Sequence, residues 1–190
     1  MTTTTEPTVL PTSIAETYRA KDVVMAATVD VANRTVLITG AIDSNDHDIL
    51  VRVELPSAGR WQVVKSETNL TDRAWKAWQI TFGEGTTVAA DGHNLCRQFS
   101  SLYVTDDGDR LCFYDGEIRP GEAVLKMFTV EAKVSRIVMA HNRPTEEEEE
   151  GDDIDFPTTE PGGEPVDSIR RGFPAKPYIE AFLPVTRING

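Results

Sequence analysis

The sequence predicts an all-β fold, a β-sandwich or jelly roll with extended N- and C-terminal arms, and three observations carry that prediction. Polarity alternates with a period of two through most of residues 21–143. Turn-forming clusters ("DSND", "PSAG", "DDGD", "RPGE") separate the alternating runs. No β–α–β alternation accompanies them, so about eight short strands must bury their apolar faces against one another.

Taken in order, residues 1–20 are Thr/Pro-rich, with Pro7 and Pro11, and read as an extended arm or a disordered tail. The domain follows at 21–143. "VVMAATVDV" and "RTVLITGAI" form two strands joined by a tight turn near Asn33. In "HDILVRVEL", Ile49, Val51, Val53 and Leu55 share one face. "RWQVVKS" is the next strand, and "GEGTT" is a glycine turn. "LCRQFSSLYV" and "DRLCFYDG" then pair around "TDDGD", where Gly108 takes a positive φ, before "AVLKMFTVEAKVSRIVMA" closes the domain. "LTDRAWKAWQI" stays open between two readings. Asp72 caps a short helix with Trp75 and Trp78 on one face, or the segment is a strand and they point apart.

Charge divides the chain. Residues 1–143 hold fifteen bases and nineteen acids, a net −4. The segment 144–168 holds eleven acids and no base, and 169–190 carries a net +3. The −12 of the whole chain is therefore mainly the acidic, Pro/Gly-rich segment, which buries too little apolar surface to fold alone and reads as a linker. No basic stripe is present, so a nucleic-acid face is not expected. No run approaches the ~20 apolar residues that span a bilayer, so no membrane partner is expected. The N-terminus lacks the basic and apolar regions of a secretory signal, so folding inside the producing cell is expected, with removal of a leader as the alternative.

Catalytic, metal and cofactor residues are expected to be absent. His47, His93 and His141 are isolated, and no nucleophile elbow or phosphate loop occurs. "DSNDHD" (43–48) is oxygen-rich but lacks the glycine and glutamate of a calcium loop, and reads as a polar turn. Cys96 and Cys112 match no zinc spacing. If the hairpin centres near Asp107, Cys112 faces Leu102, and Cys96 lies about 20 Å away, beyond the ~7 Å reach of a disulfide. Two buried free thiols follow. Trp61, Trp75 and Trp78 are expected in the core; an exposed, sugar-stacking set is the alternative.

The last 22 residues turn apolar again. Phe173, Tyr178, Ile179, Phe182, Leu183 and Val185 sit among Pro174, Pro177 and Pro184, which forbid a long helix and favour an extended path. These six are the candidate partner-binding residues of an arm over 169–190. The arm docks on a neighbouring subunit or folds back on its own domain, and the sequence leaves both open.

From His47 to about Ala140 the order of elements resembles the jelly-roll domain of camelysin-like and related biofilm-fibre proteins. "DILVRVEL", "RWQVV" and "LCFYDGEIRPGEAVLKMFTVEA" correspond to the VRV strand, the following tryptophan, the aromatic hairpin and the PGE turn of that family. The acidic linker, the terminal arm and the missing export signal depart from it. The resemblance implies a non-catalytic domain assembling through exchanged strands.

The expected function is accordingly a non-enzymatic structural or assembly protein, with copies of itself or other structural subunits as partners. A bacteriophage virion (capsid decoration, neck or tail) assembled in the host cytoplasm is the expected setting. An extracellular fibre or surface subunit is the alternative, and a carbohydrate-binding module with a glycan partner is the third.

Overall fold

A computed structural model describes residues 17–20, 22–145 and 177–190. Regular structure among them is entirely β. The strands are β1 (Tyr18–Ala20), β2 (Val23–Asp30), β3 (Thr35–Ile42), β4 (Asp48–Glu54), β5 (Gly59–Asn69), β6 (Trp78–Gly83) and β7 (Thr86–Val88). They continue with β8 (Leu95–Cys96), β9 (Phe99–Val104), β10 (Arg110–Gly116), β11 (Ala123–Ala132), β12 (Arg136–Asn142), β13 (Tyr178–Phe182) and β14 (Val185–Ile188). One mixed sheet contains them all, in the order β1-β2-β3-β5-β11-β8-β9-β10-β6-β12-β4-β13, with β14 on β2 and β7 on β11. It curls nearly into a barrel, so that its halves face each other as the layers of a sandwich.

Alternation fixes which side chains meet inside. Met25, Val36, Ile38, Val63 and Phe128 come from one half, and Ile49, Val51, Ile80, Phe113 and Met139 from the other. Phe82 and Phe128 touch edge to face across the gap, with ring centroids 5.8 Å apart. Ile49, Val51, Val53 and Leu55 all enter this core, as their spacing predicts. Because β4 lies in the opposite half, the chain leaves β3, crosses over and returns, and β3 and β5 pair in parallel.

Turn chemistry sets the ends. Asp30 accepts hydrogen bonds from Asn33 N and Nδ2, closing the β2–β3 turn, and the positive φ falls on Arg34. The β9–β10 turn has Gly108 at φ 71°, as expected. Its register differs by one residue, with Cys112 opposite Tyr103 rather than Leu102. The reason is a longer closed loop. Thr105 N donates to Arg110 O, while Thr105 Oγ1 accepts from Arg110 N and donates to Asp109 Oδ1.

Neither reading of "LTDRAWKAWQI" is complete. The segment bends at Thr71–Arg73, makes an isolated bridge at Trp75 and opens β6 at Trp78. The irregular step between them turns both rings into the same core, 5.7 Å apart and edge to face. A regular strand would have pointed one of them outward.

Candidate functional site

Two features stand out from this frame: a strap that closes the sheet, and a charged cluster inside it. The strap is residues 177–190. Pro184 interrupts the run after Leu183, so the arm breaks into two short strands that serve different edges. β13 lies parallel to β4, with Ala181 beside Val51, and β14 lies parallel to β2, with Val185 beside Ala27. One arm thus bridges the two margins of the curled sheet. Backbone bonds tie it at both ends: Asp48 N to Pro177 O at 2.9 Å, Leu183 N to Arg52 O at 3.0 Å and Val31 N to Ile188 O at 3.0 Å.

The period of two divides the residues that the sequence singled out. Ala181 and Leu183 are buried in the main core, with Ile179 and Val185 packed against it. Tyr178 and Phe182 face outward, 47% and 59% exposed. Phe173 lies outside the described residues. Glu180, between the outward pair, meets Arg52 at 2.9 Å, and the Arg52 guanidinium stands 5.5 Å from the Phe182 ring centroid. Tyr18 of β1 donates its hydroxyl hydrogen to Glu180 O, so the N-terminal edge strand also touches the strap.

The second feature was not anticipated. Parity from Trp61 and Val63 carries on through β5 and turns Lys65, Glu67 and Asn69 inward, all fully buried. On β11 the same face carries Lys126, which stands opposite Lys65. Glu67 lies between the two ammonium groups, with Oε2 2.5 Å from Lys126 Nζ and Oε1 2.8 Å from Lys65 Nζ. Lys65 also contacts the His141 ring of β12, across the core. Lys65 Nζ thus lies in contact with both the Glu67 carboxylate and the His141 imidazole. Lys126 Nζ sits 3.3 Å from the Trp78 ring centroid, and His141 packs 5.2 Å from the same ring.

Burial governs the ionisation of this cluster. Desolvation brings Lys65 down to about 7; the attraction of Glu67 opposes it and the repulsion of Lys126 adds to it. Lys126 is lowered for the same first reason. Burial acts to raise Glu67, but the two lysines outweigh it and hold the group below the usual carboxylate range. Burial and the neighbouring Lys65, Lys126 and Arg143 keep His141 neutral. Above about pH 7, where Lys65 gives up its proton, Lys126 and Glu67 form one compensated ion pair in a dry interior.

Residues 25–189 match the model of a family of unknown function, DUF6423. The chain belongs to this family. The DUF6423 match begins in β2 and ends just past β14, so it takes in the strap together with the domain. No curated protein and no solved structure matches the chain.

The other expected sites are placed as follows. Trp61, Trp75 and Trp78 are each at most 1% exposed, so they are core residues and present no face on which a sugar would stack. "DSNDHD" is the β3–β4 loop, held by Arg143 Nη2 donating to Ser44 O and His47 O and by Trp75 Nε1 donating to Asn45 Oδ1. It borders a groove of about 440 Å³ that also includes Asp22, Thr71 and Asp72. Among the described residues no group of three His, Cys, Asp or Glu is arranged to hold a metal ion. Cys96 and Cys112 are free and buried, and burial pushes both thiols up. Among the described residues no helix is long and apolar enough to cross a membrane.

Proposed function

We propose that this member of DUF6423 is a non-enzymatic structural subunit, and that its strap also serves as the joint between copies of the chain or with other structural subunits. The carrying observation is the bridge itself. Residues 177–190 fill the gap between the β4 and β2 margins, and Ala181 and Leu183 complete the core from a segment 31 residues removed in sequence. A connection of that length reaches at most roughly 100 Å when extended, enough to serve this domain or the next one. The same contacts form either way, so exchange costs no interface and is decided by geometry and concentration.

The titratable groups of the interior support a structural reading, because Lys65, Glu67, Lys126 and His141 are wholly enclosed and touch one another. The proposed setting is a bacteriophage virion, as a capsid-decorating, neck or tail accessory component assembled in the host cytoplasm. An extracellular fibre subunit assembled by strand exchange is the second setting, and the camelysin-like resemblance favours it.

Mixing tests the exchange. A tagged full-length donor is partly unfolded and refolded with an untagged acceptor ending at Thr145. The expected result is co-purification of the acceptor, lost when the donor carries Leu183→Asp. An acceptor that never retains a donor strap overturns the proposal.

A further inference from the structure

Backbone pairing holds the strap to β4, but main-chain hydrogen bonds are open to any extended segment. The inward side chains add little choice. Ile179, Ala181 and Leu183 recur every two positions, so a slip of two residues along β4 would still turn an apolar side chain to the core. Selection of the strand and its register must come from the outward face of β13, and there one residue of β4 meets it repeatedly. Arg52 O accepts from Leu183 N at 3.0 Å, and Arg52 Nε donates to Glu180 Oε1 at 2.9 Å. The same guanidinium stands 5.5 Å from the centroid of Phe182.

Groups outside the strap hold Arg52 in place. Its Nη1 bonds Glu84 in the β6–β7 turn, and Arg136 stands 3.6 Å from the second oxygen of Glu84 while bonding Glu54 at 2.6 Å. The Arg52 side chain is only 17% exposed, so little rotamer freedom is left to lose when a strap arrives. On the other side, Glu180 is the only acid between Pro177 and Gly190. In the observed register Glu180 lies beside Leu50 and Phe182 beside Arg52. A slip of two toward the start of β4 would set Glu180 beside Asp48, opposing two carboxylates. A slip the other way would set Phe182 beside Glu54, placing a carboxylate where the ring now meets a guanidinium.

We propose that Arg52 is the residue by which a domain recognises the strap it accepts, selecting a strand with a carboxylate followed two positions later by an aromatic ring. This rests on the reading of the strap as a joint between chains. A partly exposed ion pair adds little affinity, so Arg52 acts chiefly by disfavouring mismatched strands and registers.

The test swaps the two charges in full-length chains. Arg52→Glu and Glu180→Arg each set a domain against its own strap, yet mixed together they match each other in both directions. Tagged Glu180→Arg and untagged Arg52→Glu chains are partly unfolded and refolded together, beside tagged and untagged wild type. The expected result is enrichment of mixed pairs over self-pairs by roughly tenfold relative to wild type. Exchange at the wild-type ratio leaves the joint standing and overturns the role of Arg52. If no chains exchange at all, the joint fails, and thermal melts of the single and double variants decide the role of Arg52 within one chain. Midpoints lowered in each single variant and restored in the double support it, and a double variant that melts lower still overturns it. Where a reversed charge prevents folding, Glu180→Gln is compared in wild type and in Arg52→Gln. A lower midpoint only in the presence of Arg52 is expected, and an equal fall in both overturns the proposal.

Discussion

Lys126 Nζ lies 2.5 Å from Glu67 Oε2 and 3.3 Å from the centroid of Trp78. One carboxylate therefore serves two buried amines, and the amine without an equal claim on it, Lys65, is the one that burial brings down to about 7. The two lysines are not equivalent, and substitutions at this cluster should have opposite signs. Glu67→Gln leaves the Lys126 ammonium without its counter-charge in the core and should cost about 3–5 kcal/mol in urea unfolding. Lys65→Met leaves the Lys126–Glu67 pair intact and should be neutral or stabilising. Equal losses in both variants would contradict this assignment.

The same cluster makes stability depend on pH. Lys65 has a folded value of about 7, below that of an ordinary lysine, so between neutral and about pH 10 the unfolded chain binds a proton that the native chain does not. Unfolding free energy should therefore rise with pH through that window and level off below 7 as far as Lys65 is concerned. Lys126 adds in the same direction. His141, kept neutral when folded, contributes a further fall below its ordinary value near 6.5. Urea midpoints between pH 6 and 9.5 read this directly. The upward slope should shrink in Lys65→Met, and a slope unchanged by that substitution would assign it elsewhere.

Enclosure predicts chemical silence. Lys65 and Lys126 should resist acetylation, and Cys96 and Cys112 should resist a thiol reagent, in the folded protein. Peptide mapping after labelling checks both. Labelling of all four only above the unfolding midpoint is the expected outcome, and rapid labelling of Lys126 in buffer would contradict the buried pair.

The strap separates inward from outward residues along five positions. Leu183→Ala should cost about 2–4 kcal/mol, as a buried leucine does, and Ala181→Asp should cost more by burying an unpaired carboxylate. Phe182→Ala should cost less than about 1 kcal/mol, because the ring is mostly exposed and loses chiefly its contact with Arg52. Thermal melts of the three variants decide it, and a larger loss for Phe182→Ala than for Leu183→Ala would reverse the facing of β13.

Most of the strand pattern is legible in the sequence, because period-two alternation such as Ile49, Val51, Val53, Leu55 has only one way to be buried. The short strands were harder to see. β7 and β8 have three and two residues, too few to show a period, and β6 follows an irregular step at Lys76 and Ala77 that no strand or helix template describes. The arm was visible as an apolar, proline-broken segment, but its division at Pro184 between two edges depends on where β4 and β2 end in space. The charged cluster runs against the usual pattern. Lys65 and Glu67 continue the inward parity of Trp61 and Val63, so the signal was present. It was outweighed by the general rule that charges face water.

The most direct test of the strap as an assembly element is the solution mass of the full-length chain against one ending at Thr145. The expected result is defined oligomers for the full-length form, and for the truncated form a monomer that melts at lower temperature. Two monomers of equal stability would contradict it.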